Sequence, residues 1–229
     1  YDLEIGETFW MYHDTDVYPS PDIEFSYFRG NTRKRSQFAA DMIQYMRSGI
    51  FDAMHTFEQT QPRESSNLKR SDYKYAIEEL RNRIGVRIKH WINHGDSPDK
   101  IGSDALHLGD NYESAYYHTD FTNVKKSNEY YSFEFYHGLY KSYDDPCYVL
   151  PNNVLSLMTL DDGSPAYVYS RYHGVVDPPR SNELHIQLSE ENLNSLVKNG
   201  GVTILYMHLG TVDVGKPSED GYDHGIDEV

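Results

Sequence analysis

The chain has 229 residues, 36 of them acidic against 21 basic, for a net charge of -15 at pH 7. Such a surface repels a phosphate backbone, and the one dense basic run, "NTRKRSQ" at 31–37, reads as a loop leading into a helix, which excludes nucleic acid as a partner. A single cysteine, Cys147, excludes an internal disulfide and a cysteine zinc cage, and no stretch reaches the roughly 18 apolar residues of a membrane span.

In chain order, "ETFWMYHDTDVY" is a dense apolar run ending in acidic residues, as a buried strand does at the rim of a sheet. "SQFAADMIQYMRSG" is a helix, with Ser36 as its cap, Phe38, Met42, Ile43 and Met46 as its apolar stripe and Gly49 as its stop. "IFDAMHTF" is a second strand and "QTQPRESSNLKR" a loop. "SDYKYAIEELRNRIG" is a second helix, capped by Ser71, with Tyr73, Ile77, Leu80 and Ile84 on one face and Gly85 at its end. "VRIKHWINHG" is a third strand. The long region 96–121 shows no regular period and reads as a lid over a site. Beyond it, "YYSFEFY", "NVLSLMTL", "AYVYSRYH", "NELHIQL" and "GVTILYMHLG" are strand-like, and "SEENLNSLVKNG" is a helix capped by Ser189. The segment "TLDDG" (159–163) reads as a hairpin turn. Residues 211–229 are acidic, Gly-rich and unpatterned, the composition of a loose tail.

Strands alternating with helices imply an α/β fold with a parallel sheet, in which chemistry collects at the carboxyl ends of the strands. The first strand ends in His13, Asp14, Thr15 and Asp16, and period-two alternation puts both aspartates on one side. The second ends in His55, with Glu58 and Gln59 beyond it; the third ends in Asn93 and His94; "ILYMHLG" carries His208. Carboxylates and imidazoles on converging strand tips suit Zn²⁺ and other first-row divalent ions. The 21 tyrosines and Trp91 are amphipathic surfaces of the kind that hold sugar rings as well as filling strands.

These motifs resemble those of the polysaccharide deacetylase family, metal-dependent carbohydrate esterases on a (β/α) barrel. "HDTD" resembles the family's aspartate pair with one residue between, "HTFEQ" fits its His-Ser/Thr-x-x-His/Gln motif at His55, Thr56 and Gln59, and "LYMHLG" is similar to its Leu-x-His strand end at His208, one residue longer. The resemblance covers about Phe9 to Gly210 and is carried by these short segments. It implies a single (β/α) barrel domain over 1–210, complete or distorted and seven-stranded, with an added β-hairpin in its second half. It also implies hydrolysis of an acylated carbohydrate, N-deacetylation of a polysaccharide or glycan above all. In that scheme Asp16 and His55 hold the ion with a third ligand, His94 or else Gln59 or His118. Asp14 acts as base and His208 as acid, while Trp91, Asn93 and His118 contact substrate.

The chain departs from the family where Gln59 stands for a second histidine and where no Arg-x-Pro-Tyr motif is found; "TQPRE" has similar letters in another place. Two other readings stay open on these departures. One is a carbohydrate-binding domain that has kept the fold and lost activity. The other is a glycoside hydrolase or lyase using Asp14 with Glu58 or Asp110, which needs two carboxylates about 5–9 Å apart. The sequence shows no signal segment and opens on Tyr1 rather than Met, so bacterial-type cytoplasmic and envelope-associated locations, like the oligomeric state, are left open.

Overall fold

The first apolar run forms two short strands rather than one, and the second is followed by a further short strand at the start of the expected loop. β1 (Glu7–Phe9) and β2 (Tyr12–His13) are separated by Trp10 and Met11; β3 (Phe51–His55) and β4 (Glu58–Gln59) are separated by Thr56 and Phe57. β1 runs parallel to β3, with Thr8 beside Ala53 and Phe9 beside Met54. β2 runs parallel to β4, with Tyr12 beside Glu58 and His13 beside Gln59. The two runs therefore break together and stay neighbours on both sides of the break. The computed structural model of the chain describes residues 6–13, 26–59, 66–93, 97–102, 108–127, 132–137, 155–169, 184–200 and 204–205.

α1 (Ala39–Ser48) packs Met42 and Met46 into the core and ends where Gly49 turns left-handed at φ 81°, a conformation that costs glycine no Cβ clash. Its start differs from the sequence reading. The Ser36 hydroxyl is taken by the Ser26 carbonyl at 2.5 Å, and Phe38 occupies the cap position. α2 (Arg70–Glu79) starts two residues before the expected first turn, with the Asp72 carboxylate accepting the Lys69 N–H at 3.0 Å. It runs on into a π-helical turn, Leu80–Ile84, closed by Gly85. Tyr73, Ile77, Leu80 and Ile84 are all buried, as their spacing requires.

The strands β1, β3, β5 (His90–Ile92) and β6 (Phe135–His137) are successive parallel neighbours. β7 (Ser156–Thr159) and β8 (Pro165–Tyr169) complete a six-stranded sheet in the order β1-β3-β5-β6-β8-β7, with β2 and β4 as a second, two-stranded sheet. The molecule is thus α/β with a mostly parallel sheet, open among the described residues. The turn between β7 and β8 is the "TLDDG" segment, with Gly163 at φ 77°. Its Asp162 carboxylate accepts bonds from Lys126 at 2.7 Å, Thr119 Oγ1 at 2.6 Å and the Ser164 amide at 2.9 Å. Burial alone would raise its pKa, but the Lys126 ammonium and the Ser164 and Thr119 hydroxyls hold it down to about 2.

The core is aromatic. Phe9, Tyr12, Tyr27, Phe28, Phe57, Tyr73, Trp91, Phe133 and Tyr136 are all buried, and each such side chain contributes about 1.5–3 kcal/mol through burial. The described part of region 96–121 is organised by turns rather than long elements. It leads into the four-residue helices α3 (Thr119–Thr122) and α4 (Val124–Ser127), and its Ser97, Asp99, Lys100, Ile101 and Asp110 are buried.

The chain divides into two compact units, one of residues 1–139 with 157–168 and one of residues 140–156 with 169–229. In the second, "NELHIQL" is not a strand: Leu184–Gln187 is a short helix, α5, followed by α6 (Glu190–Asn199). The Asn192 side-chain amide donates to the Ile186 and Gln187 carbonyls and so satisfies the end of α5, a contact that alternation in the sequence does not reveal. Ser189 caps α6 by accepting the Asn192 N–H at 3.3 Å, and Gly200 stops it, both as expected. Of "GVTILYMHLG" only residues 204–205 lie among the described residues.

Candidate functional site

His55 ends β3, and the residue after it carries the least ordinary backbone among the described residues. Thr56 has φ 58°, and no other non-glycine described residue has a positive φ. A β-branched side chain in this region costs on the order of 1–3 kcal/mol and persists only where its surroundings hold it. Three contacts do so: the Thr56 amide donates to the Ile92 carbonyl at 3.0 Å, its hydroxyl to the Glu58 carbonyl at 2.9 Å, and the Phe57 amide to Asp99 Oδ2 at 2.7 Å.

The His55 ring lies between two residues of the first run. Thr8 Oγ1 is 3.3 Å from its Nδ1, and Trp10 stacks on it with ring centroids 5.0 Å apart and planes 15° from parallel. His13 ends β2, fully buried, with its Nδ1 2.6 Å from Ser26 Oγ. His137 ends β6, beside Ile92 of β5, and is also buried. Parallel pairing of both with Ile92 puts His55 and His137 at the same end of the six-stranded sheet, while His13 ends a strand of the two-stranded sheet. His137 went unmarked in the sequence, although "FYHG" repeats the pattern of "INHG" that drew attention to His94.

Asp99 and His118 both pack against Phe57, the residue that follows Thr56. Burial drives the Asp99 carboxyl up to about 6, despite bonds from the Ser97 hydroxyl and the Phe57 amide that favour the anion. His118 sits against Phe57, Tyr73 and Trp91. Its Nε2 is 2.8 Å from the Asp99 carbonyl, which can only accept, so Nε2 carries the proton and Nδ1 faces Thr122 Oγ1 at 2.8 Å. Burial lowers its pKa to about 4. The two turns pack so closely that a Cβ on Gly109 would lie 2.4 Å from the Asp99 carbonyl and 2.6 Å from His118 Nε2.

The residues singled out from sequence fall into two groups. Asp14, Asp16, His94 and His208 lie outside the described residues, and of Gln59 the backbone alone is described, in β4 beside His13. The others are described and mostly internal. Both ring nitrogens of His118 are engaged within the protein, so in this geometry neither faces an ion or a sugar. Trp91 is fully buried and its indole N–H donates to Asn93 Oδ1 at 2.8 Å, which leaves no ring face for a ligand. Asn93 in turn holds the Ile101 amide and carbonyl, pinning the 97–102 turns to the end of β5. Glu58 is buried against the Ser66 hydroxyl, and Asp110 is buried against the Gly102 and Asp161 amides, so neither described carboxylate faces outward. Asp99 and Thr56 were not marked as supports. A fully buried carboxylate within "DSPDK" is disguised by the polar, turn-forming residues around it.

Among the described residues no three His, Cys, Asp or Glu side chains gather closely enough to hold a metal ion. Among them, too, no helix is long and apolar enough to cross a membrane. Compared with protein-family models, with curated proteins and with solved structures, the chain matches none.

Proposed function

We propose that this chain is a metal-dependent hydrolase of acylated carbohydrates, acting by N-deacetylation on a (β/α)-barrel scaffold. The observation that carries the reading is the paired register of the first two runs. Because β1–β3 and β2–β4 are both parallel, His13, the first residue of "HDTD", ends its strand beside Gln59, the last residue of "HTFEQ". Strand order equal to chain order through β1, β3, β5 and β6 supports the barrel. In a sheet built in that order, crossovers of the usual right hand would put their helices on one side, as in a sheet that curls toward closure.

The described part of the donor set fits a divalent ion in one respect. His55 is an imidazole on a strand tip whose ring is fixed by Trp10 and Thr8; with Nδ1 engaged by Thr8, Nε2 would be the ligating nitrogen. Asp16 and a third group, His94 by position, would complete the set. When bound, such an ion supplies Lewis acidity for a carbonyl and brings the pKa of its water to about 7. Asp14 would accept the water's proton, and His208 would donate one to the departing amine. The strained Thr56–Phe57 turn would hold the His55 backbone still while this happens.

Acetate release from N-acetylated oligosaccharides, with zinc counted by elemental analysis, tests the proposal. Expected are about one zinc per chain, acetate release abolished by a chelator, and recovery on adding Zn²⁺. Zinc without acetate release would favour the non-catalytic carbohydrate-binding reading, and release unaffected by chelation would contradict the metal.

A further inference from the structure

We propose that a row of arginines along α2 binds an acidic glycan, a sugar chain bearing carboxylate or sulfate groups. The inference rests on the carbohydrate reading above and adds charge to the substrate it names. In a chain of net charge -15, more than half of the 21 basic residues and fewer than a quarter of the 36 acidic ones fall within residues 26–93. The fold gathers the arginines of that segment further. Asp72, Tyr75, Glu79 and Arg83 recur at three- and four-residue spacing and so share one side of α2 and its π-helical continuation. On that side Arg33 pairs with Asp72 at 2.9 Å and lies over the Tyr75 ring, 4.9 Å from its centroid. Arg35 and Arg83 both reach Glu79, at 3.4 and 3.3 Å. Arg47 of α1 follows, donating to the Ile84 and Arg83 carbonyls at 3.1 and 3.2 Å.

Positive charge exceeds negative along this row. One carboxylate, Glu79, is only 10% exposed and also takes the Tyr27 hydroxyl, yet it serves two guanidiniums that are 38% and 55% exposed. Each guanidinium carries five N–H donors in a planar fork that suits carboxylates and tetrahedral oxyanions. Lys34 is exposed in the hairpin closed by the Phe28–Arg35 bridge and has no carboxylate partner among the described residues. That hairpin is itself fixed: the Arg29 amide donates to the Lys34 carbonyl at 2.8 Å and the Thr32 hydroxyl to the Arg29 carbonyl at 2.7 Å. The cationic heads are thus ordered before a ligand arrives, which lowers the cost of binding. From Asp72 to Ile84 the row covers roughly 18 Å at about 1.5 Å per residue, too long for a single phosphate or carboxylate. Duplex nucleic acid, with a charge every ~1.7 Å, is repelled by the chain's net charge of -15; an acidic glycan spreads its charges more thinly, ring by ring. The row also starts beside the proposed site. The Tyr12 hydroxyl donates to the Asp72 carbonyl at 2.9 Å, and Tyr12 immediately precedes His13 at the end of β2.

The test is calorimetric titration of the intact chain with three sugars of matched length: an oligogalacturonate, a heparin fragment and a neutral N-acetylglucosamine oligomer. The expected result is that an acidic probe binds at least about 10-fold tighter than the neutral one, one charge-assisted contact being worth about that factor. The tighter of the two acidic probes identifies carboxylate or sulfate as the group recognised. Its affinity should fall about 10-fold or more in Lys34→Glu and in the double variant Arg33→Gln/Arg83→Gln, with neutral-sugar binding unchanged. Lys34→Glu leaves every ion pair of the row in place, so it reads charge without a loss of folding. Acidic probes that bind no tighter than the neutral sugar, or that bind both variants as tightly as the wild type, would overturn the inference and leave the carbohydrate reading standing. A single-stranded oligonucleotide that binds tighter than either acidic probe would overturn it in favour of nucleic acid. Failure of all three sugars to bind would overturn both it and the carbohydrate reading.

Discussion

Asp99 accepts the backbone N–H of Phe57 at 2.7 Å from a turn 42 residues further along the chain. The bond fixes the peptide that follows the left-handed Thr56 and therefore the end of the strand that carries His55. The same residue's carbonyl is held by His118, so one aspartate ties the β3–β4 break to the turns of 97–118.

Asp99 and His118 should give opposite dependences of stability on pH. The folded Asp99 carboxyl titrates near about 6, above its ordinary 3.8, so the stability it contributes is full below its unfolded pKa and lost as pH rises through about 6. The folded His118 titrates near about 4, below its ordinary 6.5, so its contribution is full above the unfolded pKa and lost as pH falls through about 4. Each amounts to something on the order of 2–3 kcal/mol across the window. Asp99→Asn should therefore lose stability, relative to His118→Gln, as the pH is lowered from about 6 to 4. Urea unfolding of both variants across that range measures it; parallel curves would contradict the assignment.

Thr56→Val keeps the volume and branching of the side chain and removes only the hydroxyl that donates to the buried turn at the Glu58 carbonyl. Loss of that donor should cost about 1–3 kcal/mol, because a buried carbonyl is left short of a partner. Equilibrium denaturation reads the change directly, and a variant as stable as the wild type would show that the hydroxyl does not hold the turn.

Asp162→Asn should destabilise the β7–β8 hairpin by about 1.5–3 kcal/mol, since charge-assisted bonds from Lys126, Thr119 and Ser164 converge on this carboxylate. With a folded pKa of about 2, below its ordinary 3.8, its contribution is full above the ordinary value and lost as pH falls through about 2. The gap between variant and wild type in thermal unfolding should be widest at neutral pH and close on strong acidification. A gap that stays constant down to pH 2 would contradict the ion-pair account.

On the proposed chemistry, Asp14→Asn should keep Zn²⁺ and lower kcat by about 10²–10⁴, the usual worth of a general base. Steady-state rates and zinc content measured on the same preparation separate the two effects. Full activity would remove Asp14 from the reaction.

How much the sequence disclosed varies by element. Gly49, Gly85 and Gly200 marked helix ends correctly because each takes the left-handed conformation that other side chains avoid. Apolar spacing located both faces of α1 and α2, since burial follows directly from period. The break at Trp10 and Met11 was not legible: a continuous apolar run reads as one strand, and the turn beside it at Thr56 and Phe57 is held by Asp99 from far along the chain. The α5 helix was missed for a related reason, because four residues are too few to show a period. For the site, sequence chemistry identified residue types but not their surroundings. Trp91 and His118 have the right chemistry for binding, yet aromatic packing from separate elements closes over both.

The most direct measurement of the central claim is a crystal structure with Zn²⁺ bound. The account predicts a carboxylate oxygen of Asp16 and Nε2 of His55 on the same ion, each at about 2.0–2.2 Å. Those two side chains on separate ions, or an ion bound elsewhere with His55 still stacked on Trp10 and uncoordinated, would contradict it.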